Sequence, residues 1–117
     1  MYKRHIFGKK GEDLAEEYLK ENNYEILERN FLCKQGEIDI IAEDKNYLVF
    51  VEIKARTSKE YGLPAESVTE KKIKHILYAA NYYLYINNVK NVNIRIDVIE
   101  IFSKDGKYYL NHLKQVI

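Results

Sequence analysis

The chain has 117 residues, 46% of them hydrophobic, and its 19 basic and 18 acidic side chains leave a formal charge of +1. That suits one compact domain over 1–117, burying about two-thirds of its unfolded surface, and it excludes a strongly basic nucleic-acid coat. No apolar run is long enough to span a bilayer, Met1-Tyr2-Lys3-Arg4-His5 leads into no signal core, and the lone Cys33 excludes a disulfide framework, so a cytoplasmic protein with no membrane partner is expected.

The first element reads as a helix from about Gly8 to Asn22, with Leu14, Ala15, Tyr18 and Leu19 as its apolar stripe. Gly8 and Gly11 lie on that stripe and let the helix approach a sheet closely. Glu12 sits at the stripe's margin, within reach of a metal or its water; an acid favoured by the helix dipole is the plainer alternative. Lys3, Arg4, Lys9 and Lys10 form a basic patch able to take phosphates, or simply a solvated surface.

Tyr24 to Cys33 reads as a strand, followed by Gly36-Glu37-Ile38-Asp39-Ile40-Ile41-Ala42 and Val49-Phe50-Val51-Glu52-Ile53-Lys54. Alternation puts Ile38, Ile40 and Ala42 on one face of the first hairpin strand, and Val49, Val51, Ile53 and Ala55 on one face of the second. The other faces carry Glu37 and Asp39, then Glu52 and Lys54. With a tight turn of even length over Glu43-Asp44-Lys45-Asn46, Asp39 shares a face with Phe50, Glu52 and Lys54. Opposed or diagonal residues on paired strands lie roughly 4.5–8 Å apart, a span one cation bridges.

Charges in mid-strand are costly to bury unpaired, and a buried ion pair contributes little net stability over apolar replacements. Asp39 and Glu52 are therefore expected to hold a divalent ion, with Lys54 alongside. Three roles stand open for Lys54: handling a water, neutralising a phosphate in the transition state, or neutralising the two acids. Glu37 is a further ligand or an exposed strand-end acid. Arg56 continues the face of Glu52 and Lys54, where it can touch phosphate.

A loop from Thr57 to Glu66 follows, and Ser67-Val68-Thr69-Glu70 has capping-box form. The helix it opens runs to about Asn88, with Ile73, Ile76, Leu77, Ala80 and Leu84 on one face. Lys71, Lys72 and Lys74 make a second basic patch. Tyr78, Tyr82, Tyr83 and Tyr85 are read as packing with the ring inside and the hydroxyl wet, in preference to stacking on bases. Asn91 to Phe102 is an apolar strand in which Arg95 and Asp97 make a structural charge pair. Asp105-Gly106 turns the chain into a last strand, Tyr108 to Leu113. The order is α-β-β-β-α-β-β, an α/β fold with one long crossover.

Asp39, then Glu52-Ile53-Lys54, resembles the Asp…Glu-x-Lys signature of the restriction-endonuclease-like nucleases, Holliday-junction resolvases among them. A closer resemblance is to UPF0102, a family of small bacterial proteins often described as predicted endonucleases. It runs through Gly8-Lys9-Lys10-Gly11-Glu12-Asp13-Leu14-Ala15, Tyr24-Glu25-Ile26-Leu27, Gly36-Glu37-Ile38-Asp39 and Val51-Glu52-Ile53-Lys54-Ala55-Arg56. Tyr61-Gly62-Leu63-Pro64, Val68-Thr69 with Lys72, and Arg95-Ile96-Asp97-Val98 complete it. Leu32 and the tail from His112 to Ile117 depart from the family pattern.

The resemblance implies a central mixed five-stranded sheet flanked by helices. It further implies Mg²⁺ or Mn²⁺ held by Asp39, Glu52 and the carbonyl of Ile53, with Lys54 activating water or stabilising charge and Glu12 as the helix acid. Glu37 fits the extra acid of the resolvase-like branch less securely, and resolvases of this type work as dimers. The expected activity is metal-dependent hydrolysis of phosphodiester bonds in branched or structured DNA, with Lys9, Lys10, Arg56 and Lys72 meeting the nucleic acid. The alternative is a non-catalytic nucleic-acid-binding module that retains the fold.

Overall fold

The structure, a computed structural model, describes residues 2–34, 36–57 and 69–116, with side chains from 10 onward except those of 56 and 57. The elements are α1 (Tyr2–Glu21), β1 (Glu25–Cys33), β2 (Gly36–Asp44), β3 (Tyr47–Thr57), α2 (Glu70–Ile86), β4 (Asn93–Lys104) and β5 (Lys107–Leu113). They form one five-stranded sheet in the order β1-β2-β3-β4-β5. Neighbours are antiparallel except β3 and β4, which run parallel. A parallel pair needs a crossover on one face of the sheet, and α2 supplies it. This is the mixed sheet flanked by helices of the restriction-endonuclease-like architecture. Among the described residues no helix is long and apolar enough to cross a membrane.

The helices cover opposite faces, because the strand residues divide between them by alternation. Ala15 and Leu19 of α1 pack on Ile40, Ala42, Val49, Val51, Ile99 and Ile101. Ile76, Ala79, Ala80 and Tyr83 of α2 pack on Phe31, Ile38, Ile41, Phe50 and Ile96. A Cβ added at Gly11 would stand 3.5 Å from that of Ala55, so the glycine does sit where helix meets sheet. β4, buried from Arg95 to Ile101, is an interior strand, as its apolar run predicts.

Three local expectations need correction. α1 begins at Tyr2, a turn and a half before Gly8. α2 begins at Glu70 with Thr69 as its cap, the Thr69 hydroxyl accepting the Lys72 N–H at 3.1 Å. Ser67 has a capping-box partner by spacing, but a cap is decided by which hydroxyl reaches a free N–H; Ser67 and the loop from 58 onward lie outside the described residues. The third correction concerns Ile38. It packs on the α2 side with Ile41, not on the α1 side with Ile40 and Ala42.

Arg95 and Asp97 are a mutual charge pair as expected, under α1 and on the face opposite Glu52. Arg95 Nε and Nη2 donate to the two Asp97 carboxylate oxygens at 2.9 and 3.0 Å. Arg95 also reaches Asp44 (3.0 Å) and the Tyr24 hydroxyl (2.6 Å). His112 Nε2 lies 2.7 Å from Asp97, and the Gln115 N–H donates to it at 3.0 Å. Burial alone would raise the fully enclosed Asp97 carboxyl; the bonds from His112, Arg95 and Gln115 win and hold it below the usual carboxylate range.

Candidate active site

The site exists because two strands separate. β2 and β3 pair from Asp44↔Tyr47 to Ile40↔Val51 and no further. Asp39 and Glu52 are the next residues in that register, on the α2 side. The ladder bond is replaced by a side chain, Asp39 Oδ2 accepting the Ile53 N–H at 2.8 Å. On the other side of β2 the ladder with β1 also lapses. Arg29↔Ile40 and Phe31↔Ile38 are paired, but Asn30 and Asp39 between them are not.

Asn30 adopts a left-handed φ of 53°, a conformation asparagine tolerates better than other residues with a side chain. The alternation breaks there. Arg29 turns to α1 and Phe31 to α2, and on β2 Ile38 crosses to join Phe31. Past the break the hairpin opens into a cavity of about 320 Å³ lined by Gly36, Glu37, Asp39, Glu52, Ile53, Lys54, Lys72, His75 and Ile76.

Glu52 is 5% exposed, with its Oε2 3.0 Å from Lys72 Nζ and 3.6 Å from Lys54 Nζ. The Asp39 carboxyl is pushed up to about 7. Burial contributes most, followed by the Glu52 charge; the Ile53 N–H opposes them, while a hydrogen bond with Glu52 and the charge of Glu12 add to the rise. Near neutrality Asp39 is therefore only partly ionised. A cation bound here would have to displace the Asp39 proton, because metal binding requires deprotonated ligands.

Among the described residues no group of three or more acids, histidines or cysteines is placed to hold a metal. The donors on hand are therefore two hard carboxylates. That set suits an ion such as Mg²⁺, which is bound through one or two carboxylates and keeps several waters.

The remaining expected residues divide. Lys72, predicted as a nucleic-acid contact, stands in the cavity against Glu52. Glu37 is exposed on the cavity wall. Glu12 accepts from Arg29 Nη2 at 3.1 Å, and the same guanidinium binds Asp13 (2.9 Å) and Glu16 (3.1 Å). The bulge between Ile26 and Glu28, which sets Arg29 opposite Ile40 on the α1 side, thus delivers to Glu12 a partner that alternation alone would not foresee, and Glu12 is not on the cavity wall. Lys10 lies away from the site, its ammonium 5.2 Å from the Tyr108 ring centroid on β5. The side chains of Lys9 and Arg56 are outside the described residues.

Two residues escaped the sequence reading. His75 lines the cavity three positions after Lys72, a spacing that sets the two side by side on a helix. Gly36 lies beside it. Its φ of 155° disfavours any side chain, and a Cβ there would stand 3.6 Å from the His75 Cβ. Glu100 is 3% exposed and pairs with Lys54 in the parallel register, so it flanks the lysine on the strand next door. The signal for it was a single glutamate inside Val98-Ile99-Glu100-Ile101.

A family model described as "Uncharacterised protein family UPF0102" matches residues 11–101. The chain is similar to a UPF0102 protein of Carboxydothermus hydrogenoformans, 40% identical over 114 residues that cover 97% of each chain. It is 50% identical to one of Clostridium perfringens over 106 residues, 89% of this chain and 87% of that one. Against one of Caldicellulosiruptor saccharolyticus it is 46% identical over 102 residues, 87% and 86% of the two chains. With the match spanning the helix, the split hairpin and the crossover strand, the chain belongs to the UPF0102 family.

Proposed function

We propose that the protein is a metal-dependent nuclease that hydrolyses phosphodiester bonds in structured DNA. The observation that carries this reading is Asp39 opposite Glu52 where β2 and β3 part, in a cavity that also holds Lys54 and Lys72. Mg²⁺ or Mn²⁺ on the two carboxylates, with the Ile53 carbonyl as a further ligand, would polarise the phosphate and acidify a bound water. Asp39 must lose its proton to act as a ligand, and the Ile53 N–H fixes its orientation. Lys54, held near Glu52, offers an ammonium to the charge that develops on the phosphoryl oxygens. Lys72 serves Glu52 in the free protein and is available to a substrate phosphate once a cation takes its place.

The test is cleavage of duplex, single-stranded, flap and four-way-junction DNA with Mn²⁺, comparing the wild type with Asp39→Ala and Lys54→Ala. Cleavage by the wild type and its loss in both variants is the expected result. A second reading is a non-catalytic nucleic-acid-binding module, favoured by the 3.0 Å pair that already satisfies Glu52 without an ion. It predicts DNA binding with no carboxylate-dependent Mg²⁺ or Mn²⁺ affinity, which a metal titration reads directly.

A further inference from the structure

The tyrosines of α2 do not all pack as their type usually does. Tyr83 is 8% exposed and meets Phe31 and Phe50 edge-on, with ring centroids 5.3 and 5.9 Å apart. Tyr78, Tyr82 and Tyr85 are 56, 43 and 82% exposed. This reverses the expectation of rings turned inward for three of the four. Their spacing of four and three residues sets them in one row along the helix. Carried back by the same steps, the row includes His75 and Lys71, both exposed. His75 is also part of the cavity wall.

We infer that this row is a stacking track for an unpaired stretch of nucleic acid that leads into the Asp39–Glu52 cavity. The inference rests on the proposed nuclease reading and narrows its substrate to one with a single-stranded segment. Single exposed apolar residues are ordinary, whereas contiguous ones mark a contact surface. The ten steps from His75 to Tyr85 rise about 15 Å along the helix, enough for several nucleotides. Tyrosine rings take bases by their faces, and only an unstacked base presents a face. Charge agrees: Glu70 is the only acid in α2, while Lys71, Lys72 and Lys74 crowd the cavity end. Phe31, 6.3 Å from Tyr82 between ring centroids, backs the middle of the row.

The chain has eleven tyrosines and no tryptophan, so its own fluorescence reports on stacking. The full-length protein is titrated with a labelled oligothymidylate and with a blunt duplex of equal length, in Ca²⁺ to suppress cleavage. The expected result is tyrosine quenching by the oligothymidylate, with each of Tyr78→Ala, Tyr82→Ala and Tyr85→Ala weakening its binding about 5-fold or more. Tyr→Phe at the same positions, which keeps the ring, restores binding, and duplex affinity does not move. Oligothymidylate affinity indifferent to the alanine variants overturns the track. So does no oligothymidylate binding at all, and so does self-association that the variants abolish in light scattering, which would assign the row to a second copy. Tyr85, the most exposed of the three, decides the test if either of the other alanine variants folds poorly. Asp39-dependent cleavage with tyrosine-independent binding removes the track and keeps the nuclease; tyrosine-dependent binding without Asp39-dependent cleavage does the reverse.

Discussion

Removing the charge of Asp39 should make the metal-free protein more stable, and the gain should depend on pH. Folded, the Asp39 carboxyl keeps its proton up to about 7, whereas its ordinary value is 3.8. Between those values the unfolded chain binds fewer protons than the folded one, so raising the pH favours unfolding. The penalty is absent below the lower value and complete above the upper. Each unit of pH across the interval is worth ~1.4 kcal/mol, which sets a ceiling of roughly 4 kcal/mol, with roughly 3 kcal/mol falling between about pH 5 and pH 8.

Asp39→Asn carries no charge to be penalised and keeps an oxygen for the Ile53 N–H, 2.8 Å away in the wild type. Its stability should stay flat across that window while the wild type declines. The assay is urea unfolding at a series of pH values in chelator, followed by tyrosine fluorescence, with the variant subtracted from the wild type so that histidine titration cancels. Mg²⁺ should then restore the wild type at the alkaline end, leave it unchanged at the acid end, and do nothing for the variant. Parallel pH curves for the two proteins, or an alkaline Asp39→Asn less stable than wild type, would refute the argument that the two acids strain one another.

Arg95→Ala leaves the fully buried Asp97 without its bidentate partner and should lower stability by about 3–5 kcal/mol in urea unfolding. Asp97 itself titrates below the usual carboxylate range when folded, so its contribution is present above the ordinary carboxylate value and is lost as pH falls through the folded one. Asp97→Asn should blunt that acid limb of the unfolding curve. Gly36→Ala places a side chain at an unfavourable φ and should cost about 1 kcal/mol or more by the same measurement. Lys72→Ala removes the ammonium that competes for Glu52 and should strengthen Mn²⁺ binding about 5-fold by calorimetry. Weaker binding there would mean that Lys72 orients Glu52.

Much of the site was legible because a hairpin leaves little freedom. Once the turn length is even, Asp39 and Glu52 must share a face, and the observed register from Asp44↔Tyr47 to Ile40↔Val51 delivers them side by side. What alternation does not contain is its own failure. Nothing in the period-two pattern announces that Asn30 will turn left-handed. Yet that residue returns Phe31 to the α2 core, where Ile38 joins it beside the cleft, while the bulge between Ile26 and Glu28, equally unannounced, turns Arg29 to Glu12. The helix side of the cavity was hidden for another reason. Lys72 and His75 reach the site only because α2 packs over β1 and β2, a placement set by the long crossover and by contacts distant in sequence.

The kinked hairpin and the strained carboxyl have a common origin. If β2 and β3 had continued to pair past Ile40↔Val51, the Ile53 N–H would not need the Asp39 side chain, and no cavity would lie between the strands. Separation exposes an N–H, Asp39 satisfies it, and the bond fixes the carboxyl beside Glu52, where burial and like charge make ionisation costly. The lysines relieve Glu52 at 3.0 and 3.6 Å and leave Asp39 to be relieved by a proton or a cation. A fold selected only for stability would close this gap with paired strands and apolar side chains, since buried charge clusters return little. The cost of keeping it open is the physical reason to look for chemistry between these two acids.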